Sequence, residues 1–466
     1  MSKIVEKFSK VCFDNSDKIA FYYIENNKLK SKTFKSVYEE TNAIANNLLA
    51  NGVKKGDRIF TLAPSNYKLC LFIMGAFKIG ASIMYIDLFA KQDKINNLFN
   101  KYNPKYILVS NKTRYIKPFI RNISNIKRVI NIDKIDTKNI QELGMDIEQN
   151  THGLLTTTTG QTGDPKIYIR THEDLYNQLD VIMNNIDKKN LNTILTTSYI
   201  YIFANLLMGK TSVIPNLNLK KDSRVINKKL SKFNNIRIDT FITSPDFLLK
   251  VDNNFNYLKT IYFGGAILNY NEASKIYDKF PNCNINYIYG STECNIISVN
   301  SLYKYIKDLE EKHINNLGKI VNDVKFKTNK EQDIIVTGKN LLTQSIEEIN
   351  TTNEYNTNDS GYLLNGELIY LGRNIFKTTI NDKIIYYNQI EQEIILNMKE
   401  IEKCAFLEHN NQYYLFIKKA KVNYDKIKEF VKNKYNIEIK LIELKGIPCD
   451  IKHNTKIDYK KLGEMI

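Results

Sequence analysis

From residue 34 to about residue 290 the apolar residues switch repeatedly between a helical period and short β-like runs, and the runs end in Gly, Pro, Ser or Thr. Phe34, Val37, Tyr38, Thr41, Ile44, Leu48 and Leu49 recur at helical spacing until Asn51-Gly52. Ile59–Leu62 reads as a strand closed by Pro64, Tyr67–Ile79 as a helix stopped by Gly80, and Ser82–Ile86 as a short buried strand. The cycle returns with strand Ile194–Thr196, helix Phe203–Met208 and strands Thr211–Ile214, Asp239–Thr243, Lys259–Phe263 and Asn286–Tyr289. Strands that end in a turn and feed a helix pack as parallel α/β layers. Ligands of such sheets bind at the carboxyl ends of the strands.

After about residue 315 the pattern changes to short strands at Val324–Thr328, Asp333–Val336 and Glu367–Leu371. The last segment reads as a compact α+β unit with strand Tyr413–Ile417 and helix Tyr424–Lys434. Gly372-Arg373 is the expected boundary. The expected architecture is therefore α/β: a large domain of layered parallel and mixed sheets with helices over 1–372, and a small mobile α+β domain over 373–466.

A length of 466 residues suits two or three domains, and 43% hydrophobic residues can fill a sizeable core. No apolar run reaches the roughly 18 residues that a membrane helix needs. The N-terminus mixes charges throughout and lacks the apolar core of a signal peptide. Six cysteines are scattered without a CxxC pair, which argues for reduced thiols in the cytoplasm and against a zinc site or disulfide frame. The net charge is +17, yet no dense Lys/Arg run carries interleaved aromatics, so nucleic acid is not the expected partner. A basic chain does favour an anionic substrate such as a nucleotide.

Four short elements carry chemistry. The first, Thr156 to Lys166, combines hydroxyls, two glycines and a lysine, a set that can curl backbone N–H groups around phosphate oxygens. It is not a GxxxxGK[ST] loop, because no Ser or Thr follows the lysine. The second, Tyr289-Gly290-Ser291-Thr292-Glu293, follows a strand and offers an aromatic ring, a bend, hydroxyls and a carboxylate for a base, a phosphate and Mg2+. The third places Asp359, in Asn358-Asp359-Ser360-Gly361-Tyr362, ahead of Gly372-Arg373, an acid and a base able to grip ribose hydroxyls. The fourth carries Lys456 near the C-terminus. Alone, each reads as a polar turn or a solvated lysine at least as readily.

Their order resembles the adenylate-forming superfamily of acyl-CoA synthetases, peptide-synthetase adenylation domains and luciferases. The resemblance covers essentially the whole chain and includes Lys55-Gly56-Asp57-Arg58, Lys78-Ile79-Gly80-Ala81, Thr171-His172 and Gly264-Gly265-Ala266. It implies ATP and Mg2+ as cofactors and a small-molecule carboxylic acid as substrate. It implies that Thr158, Thr159, Gly160, Thr162, Gly163 and Lys166 cradle the β- and γ-phosphates, that Thr292 touches the α-phosphate and that Glu293 holds Mg2+. Gly265, Ala266 and Tyr289 would line the adenine slot, Asp359 would bind the ribose with help from Arg373, and Lys456 would bridge the attacking carboxylate and the α-phosphate.

Met208–Pro215, Ile169–His172, Gly372–Lys377 and Pro448–Ile457 are similar to the olefin-pathway β-lactone synthetases within that superfamily. Departures from the wider pattern are Ile167 after the loop lysine, Gln161 for a hydroxyl, Ile375 at the hinge, and Asn381-Asp382 where a glycine is usual. The last argues against admission of a pantetheine thiol. No carboxylate lies in Ser198–Asn205, where amino-acid-activating relatives carry one for the α-ammonium group. The expected reaction is activation of a fatty or β-hydroxy fatty acid, followed by closure to a β-lactone. The alternatives are a fatty or aryl ligase acylating CoA or a carrier protein, and a catalytically inactive nucleotide-binding protein.

Overall fold

The computed structural model describes residues 2–64, 66–86, 92–113, 126–157, 167–188, 191–342, 345, 353–418, 422–450 and 456–466. Two sheets organise the chain up to Arg373. In the 13-stranded sheet, Ile19–Glu25, Thr211–Ile214, Thr193–Thr196, Thr240–Thr243, Thr260–Gly264 and Asn284–Tyr289 lie side by side and parallel. Lys28–Thr33 flanks one edge antiparallel. On the other side the sheet continues antiparallel through Ser298–Ser301, Asn315–Ile320, Glu367–Arg373, Tyr355–Leu364, Asp333–Gly338 and Val324–Thr328.

The six-stranded sheet aligns Arg128–Asn131, Tyr106–Val109, Arg58–Thr61, Ser82–Tyr85 and His152–Thr157 in parallel. Ile167–Thr171 closes it antiparallel. The central strands are short and buried on both faces, which explains their unbroken apolar character. Helices Phe34–Ala50 and Tyr67–Lys78 meet at Gly75, where a Cβ would stand 2.6 Å from Ile44 Cγ2 and 3.0 Å from the Thr41 carbonyl oxygen. Any side chain there would push the helices apart.

The expected elements are present, with shifted ends. The helix expected at Phe203 starts at Tyr199, because the Tyr-Ile-Tyr-Ile opening has β-like composition but follows the break at Ser198. Asp239 stays outside its strand: its carboxylate accepts from the backbone N–H groups of Asn192 and Thr193 and ties the neighbouring strand instead. Helix Lys3–Asp14 and the hairpin Ile19–Thr33 are additional elements.

Beyond Arg373 the chain leaves both sheets. It forms the hairpin Lys377–Ile380/Lys383–Tyr386, helix Tyr387–Asn397, helix Tyr424–Tyr435 and a three-stranded sheet of Cys404–His409, Gln412–Lys418 and Ile439–Leu444. The architecture is a large sheet-based α/β unit with a smaller α+β unit after it. Among the described residues no helix is long and apolar enough to cross a membrane.

Candidate active site

A cavity of about 570 Å3 opens at the carboxyl ends of strands Thr260–Gly264 and Asn284–Tyr289, lined by residues from both units. This is the end of a parallel sheet where ligands are expected. Two glycines shape its floor. A Cβ on Gly264 would lie 2.4 Å from the Ile288 carbonyl oxygen, and Gly265 takes φ +107°, so the chain leaves the strand sharply. The following backbone is pinned from below: the Tyr287 hydroxyl donates to the Ala266 carbonyl (2.7 Å) and accepts from Leu268 N–H (3.1 Å).

Gly290 closes the second turn. A Cβ there would fall 1.7 Å from the Asn295 carbonyl oxygen, a contact only glycine avoids. Ile297 N–H donates to the Tyr289 carbonyl across this turn, and Asn295 N–H to that of Ser291 (both 2.8 Å). Thr292 and Glu293 therefore stand at the cavity wall, with Glu293 largely buried.

Asp359 and Arg373 sit directly opposite each other in the antiparallel pair Tyr355–Leu364/Glu367–Arg373. Arg373 Nε lies 3.2 Å from Asp359 Oδ1, and Arg373 Nη1 donates to the Thr357 carbonyl (3.0 Å). The Tyr289 hydroxyl donates to Asp359 Oδ2 at 2.6 Å. Oδ1 is buried and receives no directed hydrogen bond, although it is within ion-pair distance of Arg373. A buried acceptor in that condition is a place for a ligand donor. Burial raises the Asp359 carboxyl above its ordinary value, opposed by Arg373, the Tyr289 hydroxyl and Lys456. Burial also acts to lower the Arg373 guanidinium, but Asp359 outweighs it and holds it above its usual range.

Lys456 reaches the same cavity from the C-terminal unit. Its backbone is held by Asp450 N–H to the Lys456 carbonyl (2.8 Å), by Asp458 N–H to the Pro448 carbonyl (2.9 Å) and by a bridge between Cys449 and Ile457. The next residues anchor the segment: the Tyr459 ring packs 4.2 Å from Phe376, and its hydroxyl donates to Glu391 (2.8 Å). The small unit is docked by buried polar contacts. Gln392 accepts from Tyr270 N–H (3.1 Å) and donates to the Leu268 carbonyl (2.8 Å), and Lys403 pairs with Glu272 (3.1 Å).

Gly265, Ala266, Tyr289, Thr292, Glu293, Asp359, Arg373 and Lys456 thus line one cavity. Thr158, Thr159, Gly160, Thr162, Gly163 and Lys166 lie outside the described residues, between the strand ends at Thr157 and Ile167. Ile167, in the last strand of the six-stranded sheet, is fully buried in the core. Tyr370, Phe376, Glu391 and Gln392 also line the cavity without having been anticipated. Asn388, Glu391, Gln392 and Ile395 line the cavity from one face of helix Tyr387–Asn397, at i, i+3, i+4 and i+7.

The site offers a ring face at Tyr289, an acceptor for a diol at Asp359, a cation at Lys456 and a buried carboxylate at Glu293. Among the described residues no group of three or more His, Cys, Asp or Glu can hold a metal by itself. A divalent ion at Glu293 would share its coordination with substrate oxygens, as Mg2+ bound to phosphates does.

The family model for "AMP-binding enzyme" matches residues 8–337. D-alanine–D-alanyl carrier protein ligase of Staphylococcus aureus (strain bovine RF122 / ET3-1) is 22% identical over 508 aligned positions covering 100% of both chains. Bacitracin synthase 1 of Bacillus licheniformis is 23% identical over 82% of this chain, which spans only 8% of that protein. The solved structure of a Mycobacterium tuberculosis fatty acyl CoA synthetase superposes with a TM-score of 0.75 at 16% identity, covering 100% of this chain and 98% of that one.

Proposed function

The chain belongs to the AMP-binding enzyme family, and on that premise we propose that it uses ATP to convert a carboxylic acid into its acyl adenylate. The observation that carries this reading is the convergence of Tyr289, Asp359 and Lys456 on one cavity. In the proposed assignment Gly265, Ala266 and Tyr289 hold the adenine. Asp359 takes the ribose hydroxyls through Oδ1, with Arg373 beside it. Thr292 meets the α-phosphate. Thr158, Thr159, Gly160, Thr162, Gly163 and Lys166 cradle the β- and γ-phosphates.

A carboxylate oxygen attacks the α-phosphorus in line, and the bond to pyrophosphate breaks. Catalysis here is mostly alignment and charge neutralisation. Lys456, a compact charge on a long stem, contacts both the attacking carboxylate and the α-phosphate. Members of the family use ATP with Mg2+. Glu293 is the residue that would hold the ion, which when bound neutralises phosphate charge. We place the domain boundary at Gly372-Arg373, so that Lys456 is contributed by the small domain.

For the second step we propose that the β-hydroxyl of the same acyl group attacks the acyl carbon. A ring C–O bond forms, the bond to AMP breaks, and the hydroxyl proton is released. Support comes from the hairpin turn Asn381-Asp382. Both residues take positive φ (50° and 58°), so the turn keeps a left-handed shape without glycine. Asn381 also reaches the Tyr435 carbonyl (3.3 Å), putting side-chain bulk where a glycine would leave space. The apolar and aromatic residues of helix Tyr199–Leu207, which carries no carboxylate for an α-ammonium group, suit a fatty or aryl chain. The six free cysteines suit a reducing, cytoplasmic setting.

A second reading, thioester formation on CoA or a carrier protein, is favoured by the full-length similarity to D-alanine–D-alanyl carrier protein ligase. Glu293 and Lys456 at the cavity count against an inactive nucleotide binder. Incubating the protein with ATP, Mg2+ and a β-hydroxy fatty acid, with and without CoA, separates these readings. AMP and lactone without CoA support ours. Thioester formed only with CoA supports the second, and no AMP with any acid supports the inactive binder.

A further inference from the structure

Behind the Thr292-Glu293 turn lies a buried arginine to which the ATP chemistry assigns nothing. Arg170, in strand Ile167–Thr171, is only 4% exposed. Its guanidinium donates in three directions: Nε to Gln178 Oε1 (2.8 Å), Nη1 to Thr156 Oγ1 (2.5 Å) and Nη2 to the Thr292 carbonyl (2.7 Å). Gln178, fully buried on helix His172–Asn185, donates to the Glu293 carbonyl (3.1 Å) and the Asn340 carbonyl (2.9 Å) and accepts from Asn295 Nδ2 (2.9 Å). Asn340 Nδ2 donates to the carbonyls of Cys294 (2.5 Å) and Ile296 (3.2 Å).

Three side chains, none of them lining the cavity, therefore hold the carbonyls of Thr292, Glu293, Cys294 and Ile296. This leaves the Thr292 and Glu293 side chains on the cavity wall. The same guanidinium grips Thr156, next to the end of strand His152–Thr157. Burial lowers Arg170 to about 10, opposed by Glu293 and Asp174, so it stays charged at neutral pH with those carboxylates as its counter-charges. A planar fork that reaches three acceptors in three elements cannot be copied by a lysine.

We propose that Arg170, with Gln178, is a positioning residue that sets Thr292 and Glu293 against the strand end at Thr156, and thereby governs how the metal–triphosphate part of ATP is bound. The proposal rests on reading the cavity as an ATP site.

The test is acid-dependent ATP–pyrophosphate exchange in wild type, Arg170→Lys and Thr156→Val, titrating ATP, Mg2+ and acid separately, with thermal unfolding alongside. Arg170→Lys should raise the KM for ATP about tenfold and the Mg2+ concentration for half-maximal rate several-fold. The KM for the acid should stay within about twofold. Thr156→Val should move the same two constants less, and it decides the matter if the lysine variant does not fold. Unchanged ATP and Mg2+ constants in the folded variants overturn the proposal. So does an equal rise for ATP and acid together with a lowered unfolding temperature, which marks a merely structural role. Absence of nucleotide binding by the wild type overturns the ATP reading and the proposal with it, which separates the two failures.

Discussion

The Tyr289 hydroxyl donates a 2.6 Å hydrogen bond to Oδ2 of Asp359, a residue 70 positions further along the chain. The bond ties the end of a parallel strand to the middle of an antiparallel one, with Oδ1 of the same carboxylate beside Arg373. Tyr289→Phe keeps the ring and loses the hydroxyl's bond to Asp359. Nucleotide affinity should weaken by about tenfold, the range for a hydrogen bond to a charged group. Asp359→Asn removes the charge as well and should weaken it further, by about 100-fold. Calorimetric titration with ATP distinguishes the two.

Gly290→Ala should abolish exchange activity and lower the unfolding temperature. The new Cβ would fall on the Asn295 carbonyl oxygen, a backbone atom held in the turn by its neighbours. Overpacking of this kind costs about 1–3 kcal/mol or more. Gly366→Ala, where a Cβ meets nothing but φ is +79°, is the control. Strain without collision should cost about 1 kcal/mol and leave activity intact.

The alternation of helix and strand was legible because the parallel strands are short, buried on both faces and punctuated by Gly and Pro. The Asp359–Arg373 pair was legible as two residues but not as a contact. Strand Tyr355–Leu364 has the composition of a turn, Asn-Thr-Asn-Asp-Ser-Gly, and only sheet register puts the acid opposite the arginine. Arg170 was legible only as a member of Ile169–His172, a segment that carries the resemblance. Its burial depends on acceptors from Thr156 and Thr292, which no local pattern reveals. The same holds for Gln392, whose three partners come from Leu268, Tyr270 and Asn315.

Glu391 gives the protein a predictable pH dependence. It is largely buried, and burial raises its carboxyl from 4.5 to about 8, opposed by hydrogen bonds from Phe406 N–H and the Tyr459 hydroxyl. The folded state then holds a proton that the unfolded chain releases above about pH 4.5. This stabilisation is complete below that pH and is lost as pH rises toward 8. Between pH 5 and 8 the unfolding temperature should fall for the wild type and fall less for Glu391→Gln, which keeps an acceptor oxygen. Equal slopes in thermal melts across that range would contradict the assignment.

Lys456→Ala should lower acid-dependent pyrophosphate exchange by at least about 100-fold, the scale for losing one charge stabiliser in the transition state. ATP affinity should change by less than about threefold, because adenine and ribose contacts come from the large unit. A parallel loss of binding would place the lysine on the ground-state nucleotide instead, a distinction that exchange rates and calorimetry make together.

The central claim is that a carboxylate oxygen of the substrate attacks the α-phosphorus of ATP. Running the reaction with a fatty or β-hydroxy fatty acid labelled with oxygen-18 in its carboxylate, and weighing the AMP by mass spectrometry, tests it most directly. The account predicts AMP carrying one labelled oxygen per turnover. AMP without label, or ADP and phosphate as the only nucleotide products, would contradict it.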